Sequence, residues 1–241
     1  MSSQIGFEFE FNTDLSDYKL KKLFNEELGI VFKRNEWRIV DDFSVSPKEL
    51  RGWTGRELIS PPLTISNGKR LLKRILKILQ RDNFEINNTC GLHVNMDIGE
   101  RTERIDHLSL IMLMDEGHIL KRYKRLRNDY CTPYIPQIKK LKRRFKKLRT
   151  TQVNLREYIN ERLNVDPAYI KNAERVYKKH AINFTKLECS NPYIEFRMMG
   201  GKDYCNRVDE ILKDVAHCCK AMRLAINKKA EPIIDLQLAA L

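Results

Sequence analysis

Glycine and proline are scarce, ten and eight residues out of 241, which excludes a collagen-like repeat and leaves no long Gly/Ser/Pro linker. No apolar run approaches the roughly 18 residues that a membrane-spanning helix needs, so no membrane partner is expected. The opening MSSQIGFEFE has no basic stretch leading into an apolar one. It therefore does not read as a secretory signal, and the expectation is a cytoplasmic protein. Cysteine is limited to six positions, Cys90, Cys131, Cys189, Cys205, Cys218 and Cys219, without a Cys-x-x-Cys pair, which argues against a disulfide framework. Cys90-x-x-His93 alone is half of a zinc spacing. Internal repeats and low-complexity tracts are missing too. Acids are in deficit: 45 Lys and Arg stand against 32 Asp and Glu, a net charge of +13.

That excess is concentrated. Between Lys121 and Arg149 there are thirteen basic residues and one acid, Asp129, a net of +12 over 29 residues, while the rest of the chain is close to neutral. Charge gathered this way acts as one electrostatic feature rather than a general solubility bias. With 42% hydrophobic and 32% charged residues the chain is ordinary in composition, and its length suffices for a core that needs no covalent staples.

Hydrophobic periodicity supplies the elements. Phe7, Phe9 and Phe11 alternate with Glu8, Glu10 and Asn12, the pattern of a half-buried strand. Leu15, Tyr18, Leu23 and Leu28 recur at helical spacing, with Asp14 or Ser16 as cap and Gly29 as stop. Turns and short strands are expected from Ile30 to Pro62. Leu71, Leu72, Ile75, Ile78 and Leu79 form the stripe of an amphipathic helix over 67–82. Gly91–Asp97 alternates again, with His93, Asn95 and Asp97 opposite Leu92, Val94 and Met96. A long helix over 104–127, a break at Thr132–Pro136 and a basic amphipathic helix from Gln137 into the 150s follow. Ile194, Phe196 and Met198 then alternate with Glu195 and Arg197 before a Gly-Gly turn and a final helix over 205–229. Strands and helices mix without a regular βαβ rhythm, so the expected class is α+β with an antiparallel sheet and helices packed on one face.

Three strands thus share one grammar: an apolar side, and an opposite side bearing Glu8/Glu10, His93/Asn95/Asp97 and Glu195/Arg197. Residues two apart on one strand face sit roughly 6.5–7 Å apart, an interval at which carboxylates can grip Mg²⁺ ions spaced about 3.5–4 Å. Carboxylate oxygens suit Mg²⁺, and an arginine can offset phosphate charge. Alternation alone is equally compatible with a solvated polar face of an antiparallel sheet.

The blocks GFEFEFN (6–12), WRIVDDFSV (37–45), GRELISPPL (55–63), NTCGLHVNMD (88–97), HAINFTK (180–186) and YIEFRMMGG (193–201) occur in an order that resembles the amidoligase family. That family consists of carboxylate–amine ligases whose curved catalytic sheet is similar to those of glutamine synthetase and glutamate–cysteine ligase. The resemblance implies a single catalytic domain over 1–241 with a basic helical insertion at 104–165. It implies an ATP- and Mg²⁺-dependent enzyme, with Mn²⁺ as an alternative ion, that forms an amide from carboxylate and amine substrates through an acyl phosphate. By the same resemblance Glu8, Glu10, Glu57, His93 and Glu195 are metal ligands, and Glu57 and Asp42 also belong to the catalytic set. Arg197 is the catalytic, phosphate-neutralising cation, while Asn183, Lys186 and Ser44 line the nucleotide or substrate side. Asn95 stands where many members carry a second histidine.

The basic segment lies between the matching blocks. Ile138, Leu141, Phe145 and Leu148 form an apolar line with cations around the rest, which fits a nucleic-acid contact, an acidic substrate guide or a solvated face. A metal-dependent nuclease or phosphohydrolase, or a nucleic-acid-binding protein, is the alternative function.

Overall fold

The computed structural model describes residues 4–33, 36–47, 52–99, 105–148, 154–163, 179–227 and 231–241. The alternating phenylalanines build the central strand β1 (Gln4–Thr13). Around it lie β2 (Arg38–Asp41), β3 (Thr54–Ile59), β4 (Leu63–Thr64), β5 (Phe84–Glu85), β6 (Gly91–Asp97), β7 (Ile182–Asn183) and β8 (Tyr193–Gly200). They form one eight-stranded sheet in the order β2-β3-β1-β6-β8-β7, with β4 and β5 also pairing with β1. Every strand pair is antiparallel. The class read from the sequence, α+β with an antiparallel sheet, is the one observed.

One face of the sheet is the core. Phe7, Phe9 and Phe11 are buried, and Phe11 meets Phe84 edge to face at 5.3 Å between ring centres. Helices α1 (Asp17–Leu28) and α2 (Ile65–Ile78) contribute Leu20, Phe24, Leu72, Ile75 and Leu76 to that core. Ser16 caps α1 by accepting from the Lys19 amide, and Gly29 ends it. The stripe on α1 differs from the expected one, because Leu20 and Phe24 take the core positions and Tyr18 is left exposed. The half-buried alternation of β1 holds over its first half, where Gln4, Gly6 and Glu8 stay partly exposed, whereas Glu10 and Asn12 are buried like the phenylalanines.

The expected helix over 104–127 is two helices, α3 (His107–Met114) and α4 (Glu116–Arg122). Asp115 separates them with φ 46°, a left-handed conformation that Asp tolerates better than most residues. The break lets buried Glu116 reach across to accept from the amides of Tyr134 (2.7 Å) and Ile135 (3.1 Å), capping the next helix, α5 (Ile135–Phe145). Helix α5 stops at Phe145, short of the 150s. Ile138 and Leu141 are buried and Phe145 packs on Tyr158 of α6 (Leu155–Leu163), but Leu148 is exposed. Arg104, residues 149–153 and residues 164 and 165 of the expected insertion lie outside the described residues. After the Gly-Gly turn comes α7 (Val208–Ile226), which packs on α3. It is not the last element, because α8 (Glu231–Ala240) follows. Among the described residues no helix is long and apolar enough to cross a membrane.

Candidate active site

Residues directly opposite in an antiparallel pair share a face, so the register sorts the polar side chains into rows across the sheet. Gly6, Asn95, Glu195 and Asn183 form one row. Arg38, Ile59, Glu8 and His93 form the next. Val40, Glu57 and Glu10 form a third. The acids of β1 therefore meet Glu57 from β3, His93 from β6 and Glu195 from β8 on one face.

Strand β8 reaches this face through a bulge. Val94 pairs with Phe196 and Leu92 with Met199, so two residues, Arg197 and Met198, stand opposite His93. The expected simple alternation through Met198 is broken there. Arg197 keeps the side of Glu195, donating from its guanidinium to that carboxylate and from Nε to the Tyr130 carbonyl at 3.3 Å.

His93 is the centre of the cluster. Its Nδ1 is 3.0 Å from Glu8 Oε2 and 3.2 Å from Glu195 Oε1, and its Nε2 is 3.3 Å from Glu10 Oε1. Nε2 is buried without a hydrogen-bond partner among the described residues. Asn95 donates to Glu8 Oε1 at 2.7 Å, and Asn183 donates to Glu195 Oε2 at 2.6 Å. The Gly91 amide donates to Glu10 Oε2 at 2.5 Å. Gly91 itself is required by crowding: a Cβ there would lie 2.8 Å from His93 Nε2 and 2.9 Å from Glu10 Oε2.

Burial pushes the Glu8 carboxyl up, but the bond and charge of His93, the Asn95 amide and Arg197 outweigh it and hold Glu8 down at about 2. Glu57 goes the other way, pushed up to about 8 by burial and then by the charges of Glu8 and Glu10. For His93, burial and Arg197 favour the neutral ring, yet Glu10, Glu8 and Glu195 together raise its proton affinity above the ordinary value. Four acidic side chains are thus crowded around one imidazole and one guanidinium, and their environments push Glu8 and Glu57 in opposite directions.

Among the described residues two groups of side chains could hold a cation: Glu8, His93 and Glu195, and Glu10, Glu57 and His93, each offering ligand atoms within 4.8 Å of one another. The donor set, mainly carboxylate with an orphaned imidazole nitrogen, fits Mg²⁺ or Mn²⁺. Cys90 joins neither group. Its thiol contacts Asn12 and Asn87, and burial pushes it up to about 12, so the half-zinc spacing has no counterpart among the described residues.

The other expected site residues lie further out. Asp42 Oδ1 accepts from the Ser44 amide at 2.9 Å and hydroxyl at 2.6 Å, a local turn, although its charge still reaches Glu57. Lys186 lies half-buried on the 3-10 turn Thr185–Glu188 and makes no ion pair with a described residue. Beyond Glu8 and Asn95 the same face opens into a cleft of about 960 Å³ whose walls include Arg38, Asp97 and Tyr193. Tyr193 continues the Glu195/Arg197 phase by two residues, so the alternation already contained it. Burial, Glu8 and Glu195 push its hydroxyl up. Arg125 had no sequence signal beyond its basic run. It is buried against the glycine pair Gly91 and Gly200, donates to the Cys90 carbonyl at 2.8 Å, and its Nε lacks a hydrogen-bond partner among the described residues.

The polar face of an antiparallel sheet thus gathers acidic side chains, an imidazole and a guanidinium beside an open cleft. The chain belongs to the family described as "Putative amidoligase enzyme", whose model matches residues 2–209. No curated protein matches it.

Proposed function

We propose that the chain is an ATP- and Mg²⁺-dependent ligase joining a carboxylate to an amine through an acyl phosphate, on a sheet of the glutamine synthetase type. The observation that carries this reading is the convergence of Glu8, Glu10, Glu57, His93, Glu195 and Arg197 from four strands. A carboxylate does not react with an amine directly, because oxide is too poor a leaving group. Attack of a carboxylate oxygen on the γ-phosphorus of ATP releases ADP and gives an acyl phosphate. The amine then attacks the acyl carbon, phosphate departs, and the nitrogen loses a proton to leave the amide.

Glu8, Glu10, Glu57, His93 and Glu195 would hold Mg²⁺, or Mn²⁺ in its place; the bound ion supplies neutralisation of phosphate charge. Phosphoryl transfer leaves the protein mostly positioning and electrostatics to provide. Arg197 suits that task because Glu195 and the Tyr130 carbonyl fix its guanidinium. Asn95 and Asn183 orient the Glu8 and Glu195 carboxylates, leaving their other lone pairs for the ion. Asp42 and Ser44 near Glu57, and Lys186 after β7, are assigned to the nucleotide or the substrate. The cleft bounded by Arg38, Asp97 and Tyr193 has the volume for a substrate beside Glu8.

The test is ADP release by the purified protein across a panel of acids and amines. Release should require both partners and fall at least about 100-fold in Glu8→Ala and Arg197→Ala, the scale of losing one transition-state contact. Nucleic-acid cleavage without ATP, lost in the same variants, would replace the ligase with a metal-dependent nuclease.

A further inference from the structure

The ligase chemistry leaves the second concentration of charge unused. Three cations of the basic segment have internal partners. Arg122 pairs with Asp214 at 2.7 Å, and Arg125 is buried on the Cys90 carbonyl. Lys142 donates to the carbonyls of Leu238 (2.6 Å) and Ala239 (2.9 Å), at the C-terminal end of α8, where a cation complements the helix dipole. The exposed remainder has no such explanation. Lys139, Lys140, Arg143, Arg144, Lys146 and Lys147 are all exposed on α5 and the turn after it, and none has an acid within ion-pair distance among the described residues. The inward stripe of Ile138, Leu141 and Phe145 fixes the orientation of the helix, so these cations are held on its outer arc.

Charge density selects the partner. At about 1.5 Å rise per residue, these six charges fall within about 12 Å, one per roughly 2 Å. A DNA duplex carries one negative charge per about 1.7 Å of axis, whereas an extended acidic polypeptide carries at most one per about 3.3 Å even if every residue is Asp or Glu. A sparse anion would leave much of the self-repulsion along α5 unrelieved; a duplex would offset nearly all of it.

We infer that the outer face of α5 binds the phosphate backbone of duplex DNA without reading its sequence. Two i,i+4 pairs within α5, Lys139 with Arg143 and Lys140 with Arg144, present the cations in rows suited to successive phosphates. The inference does not rest on the ligase reading, since these residues take no part in that site.

The test is fluorescence anisotropy of a short labelled DNA duplex with the full chain, in EDTA, over salt from about 50 to about 200 mM. With about six phosphate contacts the affinity should fall about 1,000-fold over that range. The variant Lys139→Gln, Lys140→Gln, Arg143→Gln, Arg144→Gln should flatten the slope of log affinity against log salt by about three to four, since each contact contributes about 0.9. Its melting temperature and ADP release should match the parent protein; if it does not fold, Lys139→Gln with Arg143→Gln should flatten the slope by about two. Glu8→Gln should leave DNA binding unchanged. Unaltered binding by the α5 variants, binding insensitive to salt, or preference for poly-glutamate or an RNA duplex over DNA would overturn the inference.

Discussion

On the polar face of the sheet, Glu8, Glu10, Glu195, His93 and Arg197 interlock through short polar contacts, with Glu57 close against them. Along α5 and the turn after it, six exposed cations have no acid within ion-pair distance among the described residues. The two regions are charged for different reasons. Enclosed charges are worth keeping only when their geometry is fixed, and removing one partner strands the other. Exposed charges interact weakly one by one and act through their sum, which salt screens. A variant that separates these regimes is therefore informative about both.

The largest effect should come from the buried side. Arg197→Ala leaves Glu195, 3% exposed, without its guanidinium, and should cost about 3 kcal/mol in denaturant unfolding besides abolishing ADP release. Gly91→Ala drives a methyl between His93 Nε2 and Glu10 Oε2. A loss of about 1–3 kcal/mol and Mn²⁺ affinity weakened at least about tenfold are expected, read by unfolding and by titration. If both variants prove neutral, the cluster is looser than its contacts imply.

Glu116 sharpens the contrast, being a buried acid with no ion-pair partner among the described residues. Burial holds its carboxyl up at about 8, despite the two amides it caps. A raised carboxyl favours the folded state at low pH, and that advantage is lost progressively between the ordinary value of 4.5 and about 8. The stability of the parent protein should decline relative to Glu116→Gln across that window, by at most about 1.4 kcal/mol per pH unit. Chemical unfolding at a series of pH values reads it; parallel curves would contradict the assignment. The smallest effects belong to α5: Lys142→Ala should lose about 0.5–1 kcal/mol with its contacts at the end of α8, whereas Lys140→Ala should change stability by less than about 0.5 kcal/mol.

Much of this architecture was legible because strands announce themselves by alternation. β1, β6 and β8 lie where Phe7/Phe9/Phe11, Leu92/Val94/Met96 and Ile194/Phe196 place them, and the polar residues between them do share one face. Register was not legible, since it depends on pairings between distant segments. Hence Glu57 opposite Glu10, Asn95 bonded to Glu8, and the bulge that gives Arg197 its position emerge only in three dimensions. The break at Asp115 was hidden for a similar reason: its left-handed turn serves Glu116, whose partners are 18 and 19 residues away. Arg125 shows the limit most plainly, as one cation among thirteen in sequence and a buried neighbour of the Gly91/Gly200 pair in space.

The most direct measurement is calorimetric titration of a non-hydrolysable ATP analogue into the purified chain, with and without Mg²⁺, repeated on Glu8→Gln. Saturable binding that needs the ion and disappears in the variant is the predicted result. Binding that ignores Mg²⁺, or that Glu8→Gln leaves intact, would contradict a nucleotide held through ions on this sheet face.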